Sequence, residues 1–131
     1  MSKTSSVNRK GDQLLKILQN FITRTPEALI AIAASKEGLS VASVKNGASA
    51  KEEDALAVAA ARVLDMAAEV NNQLEQGDIG RILIEGARRT TIVVSAGRDI
   101  ALIVVVPADA RLGLAMLSIR SAAQSIAQVY N

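Results

Sequence analysis

Apolar residues at Leu14, Ile17, Leu18, Phe21 and Ile22 recur at helical spacing, with Gln13, Lys16 and Asn20 opposite them. The spacing predicts a helix over about Asp12 to Arg24. Thr25-Pro26 closes it, because the residue before a proline disfavours helical backbone. Residues 1–9, rich in Ser, Thr and Lys, read as a loose N-terminus, and residues 10–131 as one domain. Ala28 to Ala34 is an unbroken apolar run of strand length, followed by a turn at Ser35-Lys36-Glu37-Gly38. Leu39 to Val44 then alternates as a more exposed strand. After a loop at Lys45 to Ala48, Ser49 and Glu52 have capping-box spacing, and a long helix is predicted over about Lys51 to Gln76, stopped by Gly77. Arg81–Glu85, Arg89–Ser95 and Ile100–Val106 read as strands separated by turns at Gly86-Ala87 and Gly97-Arg98. Pro107 ends the last strand, and Asp109 is placed to cap a final helix from Ala110 to about Val129.

The two wholly apolar strands, Ala28–Ala34 and Ile100–Val106, need cover on both faces and so belong side by side in the middle of a sheet. The strands at Leu39–Val44 and Arg81–Glu85 carry more polar residues and belong at its edges. The expected fold is α/β and three-layered, a five-stranded, mainly antiparallel sheet with helices on both faces.

The long helix carries more apolar surface than one sheet uses. Leu56, Ala59, Ala60, Val63, Ala67, Val70 and Leu74 form one stripe, taken as facing the sheet. Ala57, Ala61, Leu64 and Ala68 form a second. The polar residues Asp54, Arg62, Asp65, Glu69 and Asn72 are squeezed into a narrow arc, into which Val58 intrudes. The apolar arc spans about 200°, where a surface helix needs a little over roughly 100°. Alanine tolerates exposure, which is one account of the surplus. The other is that the second stripe packs on the same helix of a second copy, since most oligomers are symmetric dimers. Ile82, Leu83 and Ile84 make a short hydrophobic edge strand without a protecting proline, and pairing it with its symmetry mate would bring the two helices together. In the final helix, Leu112, Ala115, Met116, Ile119, Ala123, Ile126 and Tyr130 form the core stripe. Leu114 and Leu117 fall toward the other side, to pack on the first helix or to form a partner patch, packing being the preferred expectation.

Composition narrows the chemistry. The chain has no Cys and no His, which removes thiol nucleophiles, disulfides, and thiolate or imidazole metal sites. It has neither a phosphate-binding G-x-x-x-x-G-K-[ST] loop nor a G-x-G-x-x-G turn. The acidic run Glu52-Glu53-Asp54 suits the positive end of the helix it opens. Arg88, Arg89 and Arg98 sit at turns, where an arginine could reach a partner's phosphates but is more simply solvated surface. No catalytic residue, metal site or cofactor is assigned, and the chain is not expected to be an enzyme. A net charge of +2 and 2% aromatic residues give little basis for nucleic-acid binding. No segment is apolar over the length of a membrane span, no signal peptide is visible, and the residue after Met1 is Ser2, not the glycine of a myristoylation site. A cytoplasmic location is expected.

The hairpin residues Glu37-Gly38-Leu39-Ser40-Val41-Ala42, the small-residue segment Ala57–Ala61, the turn Gly97-Arg98-Asp99 and the helix opening Ala110-Arg111-Leu112-Gly113 together resemble the roadblock family. That family includes dynein light chains and regulators of small GTPases, and the resemblance runs from about Asp12 to Val129. It implies a dimer joined through the long helix and an edge strand, with one sheet continuous across both copies. It also implies a prokaryotic-style member that works on a Ras-like small GTPase by reshaping it, without donating an arginine. The dimer contact is expected at Ala57, Ala61, Leu64, Ala68, Ile82, Leu83 and Ile84, and the GTPase contact at Arg62, Asp65, Glu69 and Asn72. The alternative is a light-chain-like adaptor that binds peptides or larger assemblies regardless of nucleotide.

Overall fold

The elements follow one another as helix α1 (Ser2–Arg24), strands β1 (Ile30–Ser35) and β2 (Ser40–Lys45), helix α2 (Ala50–Gln73), strands β3 (Ile82–Glu85), β4 (Arg89–Ser95) and β5 (Ile100–Pro107), and helix α3 (Leu112–Tyr130). This computed structural model describes the backbone over residues 2–45 and 50–130, and side chains over 9–45 and 52–130. Residues 46–49, where the sequence predicts a loop and the cap Ser49, lie outside the described residues.

The five strands form one sheet in the order β2-β1-β5-β4-β3, every neighbouring pair antiparallel. The apolar strands β1 and β5 lie side by side at its centre, in the register Ile30↔Val105 and Ile32↔Ile103. The more polar β2 and β3 are its edges, as apolar content requires. Alternation along each strand sends side chains to opposite faces. Ala31, Ala33, Leu102 and Val104 meet Leu14, Leu18 and Phe21 of α1 and Ile119 and Ile126 of α3. On the other face, Ile30, Ile32, Val93 and Ile103 meet Ala57, Ala60 and Leu64 of α2.

Two helices cover one face of the sheet and a single helix covers the other, so cover on the α2 side runs out toward β3. Ile82 pairs with Val93 and packs against the edge of the α2-side core. Two residues further along the same face, Ile84 is 46% exposed.

Several strand and helix ends shift by one or two residues from the sequence expectation, and three differences have a local cause. α1 starts at Ser2 instead of Asp12, because its first turns carry no apolar stripe for periodicity to detect. α3 starts at Leu112, not Ala110. Its first bond runs from the Ala115 N–H to the Arg111 carbonyl, and Asp109 lies in a preceding turn that the Ala110 N–H closes on Pro107. Asp109 is therefore not its cap.

The third difference is at the end of α2. The Gln76 N–H bonds the Asn71 carbonyl at 2.8 Å and the Glu75 N–H bonds the Asn72 carbonyl at 3.3 Å. This is the paired closure that terminates many helices, and it requires one residue in the left-handed region, usually glycine. Here that residue is Glu75, with φ of 54°. A side chain in this conformation costs roughly 1–2 kcal/mol. Gly77, where the sequence places the stop, serves a later bend with φ of 88°.

Candidate protein interface

The rotation of α2 about its axis decides which of its residues a partner can reach. Two local features set it. Gly38, at the tip of the β1–β2 hairpin, has φ of 98°, and a Cβ there would lie 3.3 Å from the Val58 Cα and 3.6 Å from the Ala61 Cβ. Glycine on one side and Ala57 and Ala61 on the other thus let hairpin and helix backbones approach closely. At the start of the helix, the Ser40 hydroxyl donates to Glu53 Oε2 at 2.6 Å and Lys45 Nζ lies 3.0 Å from Glu53 Oε1. The Ser40 hydrogen bond, opposed by burial and aided by bonds and charge from Lys45 and Ser43, holds the Glu53 carboxyl below its ordinary value. The sequence alone marks Glu53 as a helix-dipole partner. Its bonds to β2 also join the first turn of α2 to the sheet edge.

These anchors turn the expected second stripe inward. Ala57 is 1% exposed and Leu64 is 6% exposed, both in the core against β1 and β5, so neither forms an outward dimer face. Ala61 is half-buried beneath the hairpin tip, and Ala68 is exposed beside a polar cleft. Of the stripe expected to face the sheet, only Ala60 is buried. Leu56, Val63 and Ala67 are half-buried, and Ala59, Val70 and Leu74 are exposed. Periodicity shows two stripes but carries no information on which one the sheet takes. The small residues go inward because the hairpin approaches closest there.

The apolar surplus is therefore real, but it lies on the other flank. Ala59, Met66, Val70 and Leu74 form an exposed row with the half-buried Val63 beside it. Met66, 68% exposed, is absent from both stripes read in the sequence. Its spacing of seven from Ala59 and four from Val70 is the signal that would have placed it there. Leu56 of this same flank is half-buried against the α2-side core, as are Ile79 and Ile82, so the flank borders the part of that core nearest β3. There Ile84 stays exposed on the same side of the sheet. Leu83 pairs with Ile92 and points to the opposite face, apart from Ile82 and Ile84.

Arg62, Asp65, Glu69 and Asn72 are all exposed along the outer side of α2. Arg62 borders a shallow apolar depression of about 600 Å³ lined by Ala55, Val58, Ala59 and Val63. Arg88 and Arg89 are exposed at their turn, and Arg98 is exposed at the next.

Leu114 and Leu117 do not pack on α1. The seam between α1 and α3 is lined instead by Ser118, Ser121 and Ser125 with Asn20 and Arg24, which leaves Leu117 69% exposed. On the other flank of α3, Leu83, Leu112, Met116 and Leu117 line a groove of about 310 Å³ with Arg81 and Arg120 among its walls. Among the described residues no cluster of three or more Asp or Glu side chains is placed to hold a metal ion. None of the described helices is long and apolar enough to cross a membrane.

Over residues 14–106 the sequence matches the Roadblock/LC7 domain. Comparison with curated protein sequences gives no significant match. Among solved structures, MglB in a tetrameric arrangement superimposes with a TM-score of 0.84 at 20% identity, covering 92% of this chain and 89% of that one. The gliding protein MglB from Thermus thermophilus gives 0.82 at 20% identity, covering 92% and 90%. A Roadblock/LC7 domain from Streptomyces avermitilis gives 0.82 at 17% identity, covering 88% and 96%. At these identities the likeness is one of fold.

Proposed function

Because this chain belongs to the Roadblock/LC7 domain family, we propose that it is a non-catalytic, homodimeric regulator or scaffold for a Ras-like small GTPase. The observation that carries the reading is the uncovered apolar flank of α2 beside the open β3 edge. A second copy related by a two-fold axis, with its β3 beside this β3, would extend the sheet. Its α2 would lie against Ala59, Val63, Met66 and Val70 and over Ile82 and Ile84. Isolated exposed apolar residues need no explanation, but a row of them along one helix flank beside an unpaired strand edge does. The tetrameric arrangement named for one structural neighbour is consistent with a fold that self-associates.

In this dimer the arcs with Arg62, Asp65, Glu69 and Asn72 stay clear of the two-fold contact and lie on its outer surface, where a GTPase docks. The test is binding of a purified small GTPase from the same source, loaded in turn with GDP and with a non-hydrolysable GTP analogue. Nucleotide-dependent binding is expected, with a loss of about tenfold or more in an Arg62→Glu, Glu69→Arg double variant. Equal binding to both nucleotide states, or none, contradicts the GTPase reading.

A second reading, a light-chain-like adaptor, draws on the other side of the molecule. The groove of Leu83, Leu112, Met116 and Leu117 beside Arg81 and Arg120 suits an apolar peptide with acidic flanks. It predicts peptide capture indifferent to nucleotide and lost in Leu117→Glu.

A further inference from the structure

A cleft of about 800 Å³ opens at the C-terminal end of α2, apart from the apolar flank. The last turn of α2, the loop through Gly77 to Ile79, and the β1–β2 and β4–β5 turns enclose it. The two β-turns are fastened together: the Lys36 N–H bonds the Asp99 carbonyl at 3.1 Å, and Lys36 Nζ lies 3.5 Å from the Gly97 carbonyl. This puts the cations Lys36 and Arg98 on one wall. The carboxylates Glu75 and Asp78 stand on the other, beside Asn71 and Asn72 of α2. Ala68, Gly77 and Gly97 keep the space open.

Two further observations point to a ligand. Glu75 holds a left-handed backbone conformation that glycine adopts without strain. Strain of this kind gathers at binding sites, where the side chain is needed in that place. Helix α2 also has no basic residue in its last turn, so the negative end of its dipole has no cation from its own sequence.

We propose that this cleft binds a small zwitterion of the free α-amino-acid class, its carboxylate on Arg98 and Lys36 and its ammonium on Glu75, Asp78 and the end of α2. A purely anionic ligand would face two carboxylates, and a purely cationic one would face Lys36 and Arg98. A molecule carrying both charges satisfies both walls. The volume lies in the range of small-molecule sites, while the polar lining disfavours a lipid or an aromatic cofactor. This inference shares only Asn72 with the proposed GTPase contact and is tested on the purified protein alone.

The twenty free amino acids are titrated into the protein by calorimetry, each binder being compared with its N-acetyl and methyl-ester forms, which remove one charge apiece. At least one free amino acid is expected to bind with Kd of about 1 mM or tighter. Each blocked form should bind at least tenfold more weakly, and Arg98→Ala should abolish binding. Glu75→Gly should also abolish it while raising the Tm of the unliganded protein by about 3 °C, which shows that the lost binding is not lost folding. No binding by any of the twenty overturns the proposal. So does equal binding of the blocked forms, or undiminished binding by Glu75→Gly.

Discussion

At the scale of single residues, Glu53 and Gly38 do more than their types announce. The acidic run at the start of α2 was legible as a complement to the helix dipole. That its middle member also reaches across to Ser40 and Lys45 was not, because both partners are on β2, at a distance in sequence that no local pattern encodes. The depressed carboxyl of Glu53 has a defined consequence for stability. Its contribution is complete above the unfolded-state value, near 4.5, and is lost as pH falls through the lower folded-state value. Glu53→Gln is therefore expected to destabilise the protein by about 1 kcal/mol near neutral pH, with the gap to wild type closing as the medium becomes more acidic than that range. Denaturant melts at a series of pH values check this, and a gap that stays constant or widens toward acid contradicts it. Glu75 gives the converse lesson. Glycine is the usual mark of a helix end, and the nearest one, Gly77, draws the boundary too far, since a glutamate holds the left-handed position.

At the scale of elements, order, strand placement and sheet edges were legible because each rests on a local pattern. Unbroken apolar runs put β1 and β5 at the centre, and mixed runs put β2 and β3 at the edges. The rotation of α2 was not legible. Its two apolar stripes are nearly equal in character, and the choice between them is made by Gly38, which the β1–β2 hairpin brings against the helix from twenty or so residues away in sequence. Leu114 and Leu117 escape helical spacing for a related reason: that spacing shows an apolar pair off the core stripe, but three serines take the side that faces α1. The rotation can be tested with two variants. Met66→Glu places a charge on the exposed row and should leave the far-ultraviolet circular dichroism unchanged while favouring the monomer. Leu64→Glu buries an unpaired charge against β1 and β5 and should cost more than about 3 kcal/mol, enough to unfold a large fraction of the protein. The reverse pattern, with Leu64→Glu folded and monomeric and Met66→Glu unfolded, would contradict this rotation.

At the scale of the whole molecule, two helices against one face and one against the other leave the sheet unequally covered. The uncovered strip lies between α2 and the β3 edge, and a second molecule turned by half a revolution presents the same strip in return. An isologous contact of this kind joins helix flank and strand edge in a single event and leaves both outer arcs free for a third protein. The GTPase proposal depends on it, because the proposed docking surface is the pair of α2 arcs that the two-fold axis sets side by side. Multi-angle light scattering of the purified protein at micromolar concentration tests it most directly. A mass twice that of the 13.7 kDa chain is expected, and a mass of one chain across the concentration range contradicts it.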